Sequence, residues 1–419
     1  MDPTTRKALT TDLSRLTTEI AAALRPSMLA EGPVRTRAQK LWADERVGDP
    51  FDVWTDLLSR RAAVLWVLKS LYVRVLEDRG LLRPSRIVDP ESQDLFAYLA
   101  RDLGDTAYLR WIYRDLASAK GGLPELFAPQ PAELVLPPDA LSRKLIEFWR
   151  ARNPETGELL YRFDQEHFDG RLMGDLYQDL DPVVKKRYAL LQTPDFVVDF
   201  ILDETLTPAI AEFGIETVRV LDPACGSGHF LLAAFKRLFG GMRDKFPKRP
   251  VGEIVADVLS RVVGIDLNDY ACALARARLV MTALEACGDS DLGAGCGFHP
   301  QVYWADALEQ VERDEMAQLG MFPNGQTKAL LTRPEIRKAL APILKAGFHA
   351  VVGNPPYITE KDATRREYHK AKVGKGRRYV SAAGKYSLGA PFTERMLQLA
   401  VPDLTDPLVC FLLRESIAA

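Results

Sequence analysis

Two hydrophobic patterns divide the chain. Up to about residue 185, apolar residues recur at intervals of three and four, the period of an amphipathic helix. LTTDLSRLTTEIAAAL (9–24) follows it, and RAAVLWVLKSLYVRVLEDRGLL (61–82) sustains it until Gly80, a natural helix stop. A Pro-rich connection, LPELFAPQPAELVLPPD (123–139), leads to a third helical run, LSRKLIEFWRAR (141–152). The pattern predicts a helical N-terminal domain over 1–185, with no internal repeat and no low-complexity tract.

From about residue 186 the pattern changes. Four short β-rich runs appear: VRVLD (218–222), RVVGID (261–266), VYWAD (302–306) and HAVVGN (349–354). The helical segments HFLLAAFKRLF and VGEIVADVLSR separate the first two. Strands alternating with helices predict a parallel α/β sheet, whose ligands lie at the carboxyl ends of the strands. Each of the four runs carries a polar residue at that end.

The first strand breaks into LDPACGSGHF (221–230). Gly226 and Gly228 allow a ligand close to the backbone, and the helix beyond supplies free N–H groups. No Lys-Ser/Thr follows, so this is not a P-loop, and the spacing misses the full dinucleotide pattern GxGxxG. Asp222 is hostile to phosphate and suits an amino-bearing ligand. Asp266, ending the second strand, can accept both hydroxyls of a ribose. Asp306, ending the third, is placed to accept from an adenine amino group. A nucleoside with an ammonium group and no phosphate meets all three acids, and S-adenosyl-L-methionine is such a ligand.

DPACGSGHF, GIDLN, ADAL and NPPY, in that order, resemble the motifs of amino-methylating DNA adenine methyltransferases of the γ order. LLQTPDFVVDFIL (190–202) is similar to the Thr-Pro segment that precedes their glycine loop and closes over the methionine part of the cofactor. LMGDLYQDL and KYSLGAPFTERMLQLA resemble large methylases related to type IIG restriction-modification enzymes, above all the adenine-specific methyltransferases of BREX phage-defence systems. The resemblance implies a Rossmann-like S-adenosylmethionine-dependent domain over 186–419. It implies cofactor contacts from Thr193, Pro194, Asp222, Ala224, Gly226, Gly228, Asp266, Leu267, Asp306 and Ala307.

Methylating an exocyclic amine is hard because its lone pair is delocalised into the ring. Two acceptors aimed at the amine hydrogens draw the nitrogen towards a tetrahedral geometry. The resemblance gives these roles to the Asn354 side-chain oxygen and the Pro355 carbonyl. Pro355 and Pro356 fix the backbone and remove competing N–H groups, and Tyr357 stacks on a base flipped from the duplex. NPPY also occurs in methyltransferases of a protein glutamine or an RNA guanine amine, which are the alternatives, together with an inactive DNA-binding fragment. The implied partner is double-stranded DNA, with other phage-defence subunits alongside. EKDATRREYHKAKVGKGRRYVSAAGKY (360–386) follows NPPY directly. It reads as a flexible basic loop whose Arg365, Arg366, Lys370, Lys372, Lys375, Arg377 and Arg378 contact phosphates, with Tyr368, Tyr379 and Tyr386 interleaved.

After the helix PFTERMLQLAVP, LVCFLL (408–413) is a candidate fifth strand without the family's preceding Gly-Gly turn. No counterpart of the family's last hairpin or its target-recognition domain is read here, so truncation and weak or absent methylation by this chain alone are expected. No PD-(D/E)xK nuclease site stands out in 1–185.

Composition adds little. The chain has 419 residues and a formal net charge of −2, which leaves nucleic-acid binding to local patches. Its five cysteines (225, 272, 287, 296 and 410) form no CxxC pair. Neither a metal centre nor a disulfide framework is expected. The opening MDPTTRKALTTDLSRL has no apolar signal core and no window approaches a membrane span, so a reducing, cytoplasmic compartment is expected.

Overall fold

The helix Pro3–Leu29 begins where Asp2 accepts from the backbone N–H groups of Thr4 and Thr5, with Pro3 in the first turn. In this computed structural model the described residues are 2–45, 50–119, 123–164, 176, 179–180, 193–289, 292–310, 334–360, 363–373, 376–401 and 409–411. They divide into two compact units, one of residues 1–187 with 288–296, the other of 188–287 with 297–419. Among them, no helix is long and apolar enough to cross a membrane.

The first unit is helical. Its centre is the helix Phe51–Asp78, buried along most of its length. That helix ends at Gly80 as its sequence predicts. Gly80 takes φ +72°, its N–H donates to the Glu77 carbonyl, and the Leu81 N–H donates to the Leu76 carbonyl. This is a Schellman stop, which a residue with a Cβ resists. Helices Asp105–Ser118 and Asp139–Arg150 pack around the same core, and the Pro-rich connection holds one short helix, Pro124–Phe127.

The second unit is built on a parallel sheet. Its strands are β1 (Val220–Asp222), β2 (Val262–Asp266), β3 (Gln301–Trp304), β4 (Ala350–Gly353) and, after a small antiparallel ribbon of β5 (Lys372–Val373) and β6 (Gly376–Arg377), β7 (Val409–Phe411). The order is β3-β2-β1-β4-β7, and every pairing is parallel. The candidate fifth strand therefore does join the sheet, with Val351 opposite Val409. Both faces are covered. Val220, Val262, Ala350 and Val352 face the helices Asp195–Phe213, His229–Lys245, Val251–Arg261 and Asp269–Cys287. Leu221, Val263, Ile265 and Val351 face the helices Pro334–Lys345 and Gly389–Leu399. Burial on two sides explains why these strands read as continuous apolar runs rather than alternating ones.

The chain runs outward from β1 to β2 and β3, then crosses to β4 on the other side of β1. The strand order reverses between β1 and β4. In an open α/β sheet a crevice for ligands opens at the carboxyl ends of such a pair.

Candidate functional site

Asp222 ends β1 and Gly353 ends β4, side by side. A Cβ on Gly353 would stand 2.9 Å from Asp222 Oδ1, so only glycine lets the two strand ends close up. The same Oδ1 accepts from the Ala224 N–H at 3.0 Å. Asp222 is buried, and burial pushes its carboxyl up to about 8. The neighbouring Asp266 charge pushes the same way.

Asp266 ends β2 and holds the glycine loop. Its Oδ2 accepts from the Gly226 N–H at 2.8 Å, and its Oδ1 accepts from the Asn268 N–H at 2.8 Å. Burial raises its carboxyl above the usual range. Gly226 and Gly228 take φ +51° and +87°, a region that costs other residues strain. Among the described residues, and apart from its two chain neighbours, no atom lies within 4 Å of where a Gly226 Cβ would stand, so these residues leave open space over the loop there. Leu267, next to Asp266, accepts from the Trp304 indole at 2.9 Å.

The sequence reading missed the clamp behind this loop. Arg278, buried in the helix Asp269–Cys287, donates to the Ser227 carbonyl at 2.6 Å and to its hydroxyl at 3.3 Å. Arg278 is one of two arginines in an otherwise largely apolar helix and offers no motif. Only its position on the face behind the loop gives it meaning.

Beyond β4 the chain leaves the sheet as Asn354-Pro355-Pro356-Tyr357. Asn354 Nδ2 donates to Thr193 Oγ1 at 3.2 Å. Thr193 is buried, and Pro194, not Thr193, is the N-cap of the helix Asp195–Phe213. The threonine hydroxyl thus reaches across to the Asn354 loop instead of capping its own helix. Pro355 is buried, while Pro356 and Tyr357 are half-buried. The loop is tied down beyond Tyr357, where the Leu388 N–H donates to the Ile358 carbonyl at 2.8 Å. Asp306 and Ala307 follow β3, and both are buried. Asp306 Oδ1 accepts from the Leu308 N–H at 3.0 Å, and the Ala307 carbonyl accepts from Arg395 Nε at 3.0 Å. Thr193, Asp222, Asp266, Asp306 and Asn354 therefore all stand at or beside the carboxyl edge of one sheet.

Residues 260–405 match the family model of the Eco57I restriction-modification methylase, and residues 210–291 match the DNA-methyltransferase domain of MmeI. Over residues 210–405 the chain is thus similar to the methylase domains of Eco57I and MmeI. The adenine-specific methyltransferase PglX of Streptomyces coelicolor is 35% identical over 94% of this chain and 34% of its own length. The type II methyltransferase M.BstVI of Geobacillus stearothermophilus is 26% identical over 54% of this chain and 34% of that protein. The chain spans about a third of the length of these relatives. Among solved structures, DrdV in its complex with DNA superposes with a TM-score of 0.51 at 14% identity, covering 97% of this chain and 35% of that one, a likeness of fold.

In the second unit the basic segment is not the flexible loop that its composition predicts. It forms the helix Ala363–Lys370 and the β5–β6 ribbon. Its aromatic residues turn inward. Tyr379 is fully buried and donates to the Leu308 carbonyl at 2.6 Å, and Tyr386 meets the buried His369 Nδ1 at 2.8 Å. Two of the arginines turn inward as well. Arg365 pairs with Asp306 at 2.7 Å, and Arg378 donates to the Gln310 carbonyl at 3.0 Å and stacks over Tyr368. Arg366 is exposed, and Lys370 donates to the Gly384 carbonyl at 2.9 Å. Lys372 and Arg377 lie in the ribbon, with side chains outside the described residues, as is Lys375 altogether. Among the described residues no group of acids, histidines and cysteines is arranged to hold a metal ion.

Proposed function

We propose that this chain carries the catalytic domain of a site-specific DNA adenine-N6 methyltransferase of a phage-defence or restriction-modification system. Its sheet is a Rossmann-like cofactor fold and its methyl donor is S-adenosylmethionine. The observation that carries the reading is the hydrogen bond from Asn354 Nδ2 to Thr193 Oγ1, beside the β1–β4 switch point. With the amide nitrogen directed to threonine, the Asn354 oxygen is the acceptor end of the side chain.

The residues present fit the proposed donor. Free space over Gly226 admits a ligand against the loop backbone. Asp222 is a buried acid with a raised pKa, and a cation beside it would favour its carboxylate form. Asp266 keeps acceptor capacity for a ribose, since each carboxylate oxygen accepts more than one hydrogen bond. When bound, S-adenosylmethionine supplies a methyl group activated by its sulfonium. The protein's work is then positioning. Asn354 Oδ1 and the Pro355 carbonyl accept the two amine hydrogens of a flipped adenine, and Tyr357 stacks on its face. Pro355 and Pro356 bring no N–H that would compete for those acceptors. Outward cations of the basic segment, Arg366 first, contact the phosphates of double-stranded DNA.

The test is transfer of labelled methyl from S-adenosylmethionine to unmethylated genomic DNA. N6-methyladenine in the hydrolysed product is the expected outcome. Label entering a ribosomal preparation but not DNA would favour a protein-glutamine or RNA-amine methyltransferase instead.

A further inference from the structure

Arg365 holds two carboxylates at once. Its Nη2 lies 2.7 Å from Asp306 Oδ2 and its Nη1 lies 3.1 Å from Glu360 Oε2. The three side chains are only 17%, 6% and 9% exposed. Asp306 follows β3, and Glu360 closes the loop that starts at Asn354. A guanidinium suits this place because its donors lie in one rigid plane and reach two acceptors in different directions. Such a pair is unlike a solvated charge run. With the arginine removed, two acids would remain desolvated and uncompensated.

The surroundings fix the bridge from both sides. Asp306 Oδ1 is held by the Leu308 N–H at 3.0 Å. The helix Ala363–Lys370 that carries Arg365 is anchored by buried His369 against Tyr386 and by the Tyr368 hydroxyl, which accepts from the Gln310 N–H at 2.9 Å. The segment after NPPY therefore grips the residues just beyond β3, from Asp306 to Gln310.

We propose that Arg365 is a positioning residue that fastens the Asn354–Glu360 loop to the acid at the end of β3. This rests on the cofactor reading of Asp306 above. Loop and nucleoside pocket then hold their geometry as one piece. Losing the bridge loosens cofactor binding and base positioning together. Arg365 is accordingly not a phosphate contact, although it stands in the most basic segment of the chain.

The experiment compares wild type, Arg365→Lys, Arg365→Met and the double variant Arg365→Met/Glu360→Gln, all in the full chain. The double variant removes one of the two stranded acids, Glu360, which lessens the risk of misfolding and leaves Asp306 without its arginine. Each is titrated with S-adenosylmethionine by calorimetry. Each is also titrated with a short random-sequence DNA duplex over a range of salt concentrations. Arg365→Met should weaken cofactor binding by about tenfold or more, Arg365→Lys should recover part of the loss, and the double variant should stay weak. The salt slope of DNA binding should not change. Cofactor affinity unchanged with a salt slope reduced by about one would mark Arg365 as a phosphate contact and overturn the proposal. Full recovery in the double variant would overturn it too, by reducing Arg365 to a counter-ion for Glu360. A folded wild-type chain with no cofactor affinity would remove the cofactor reading itself, and that failure is visible before any substitution is made.

Discussion

Thr193 and Asn354 meet through a single hydrogen bond of 3.2 Å, from the asparagine Nδ2 to the threonine Oγ1. The bond orients an amide whose two ends differ in chemistry. Asn354→Ala should therefore lower methyl transfer by about 10²-fold or more, the scale of losing one pre-oriented polar group at a reacting centre. Cofactor affinity should stay within about threefold, since Asn354 bonds only to Thr193 among the proposed cofactor contacts and not to the acids at the strand ends. Thr193→Val keeps the volume and removes the oxygen. It should lower kcat by about tenfold to a hundredfold through misorientation. Single-turnover rates and calorimetry on the same samples separate these outcomes. A large loss of cofactor affinity in Asn354→Ala would refute the assigned role.

Asp222 gives a pH signature. Its carboxyl stands at about 8 in the folded chain against an ordinary value of 3.8. Because the folded pKa is raised, its contribution to stability is fully present below about pH 4 and lost as pH rises through about 8. The ligand-free protein should lose melting temperature from this group over that window, and Asp222→Asn should flatten the trend. A cationic ligand beside Asp222 favours the carboxylate, so binding near neutral pH should release a proton. Calorimetric titration with S-adenosylmethionine in two buffers of different ionisation enthalpy measures that release. Equal heats in both buffers would place the cation away from Asp222.

The parts of the fold legible in the sequence were those set by local periodicity and by glycine. Gly80 stops its helix as expected, and the four β-rich runs become β1 to β4. The family likeness read from DPACGSGHF, GIDLN, ADAL and NPPY is borne out by the Eco57I and MmeI family models. The fifth strand was less legible, since its residues lack the turn that usually announces it, and it joins the sheet through register with β4. The basic segment was misread as flexible because composition records charge and not direction. Tyr379, Tyr386 and His369 bury themselves, and the two tyrosines join the core on one face of the sheet. Arg278 and the Arg365 bridge depend on contacts between distant segments, which no local pattern encodes.

Asp266 tests the division of labour within the site. Its two oxygens hold the Gly226 and Asn268 N–H groups, so it shapes the loop as well as offering acceptors. Asp266→Ala should weaken S-adenosylmethionine binding first, by about tenfold or more, because truncation leaves backbone donors unpaired in addition to losing the ligand contact. At saturating cofactor the residual transfer rate should fall much less. The KM-against-kcat split in steady-state assays reads this directly. A fall in kcat with unchanged cofactor affinity would reverse the roles given to Asp266 and Asn354.

The helical unit carries a separate stability prediction. Lys69, inside the helix Phe51–Asp78, pairs with Glu133 at 2.6 Å, and the two side chains are 2% and 7% exposed. Lys69 also donates to the Ala128 carbonyl at 3.0 Å, and Glu133 accepts from the Gln130 N–H at 2.7 Å. The pair thus pins the Pro-rich connection to the central helix. Lys69→Met strands a buried carboxylate and should cost about 3–5 kcal/mol of folding stability. Lys69→Met/Glu133→Gln removes the stranded charge, and a well-packed neutral pair is often close to neutral in stability. The double variant should therefore recover most of the loss. Urea unfolding followed by tryptophan fluorescence measures both, since Trp66 packs in the same helix against Tyr113. Equal losses in the single and double variants would mean that packing of the lysine stem, not its charge, holds the connection in place.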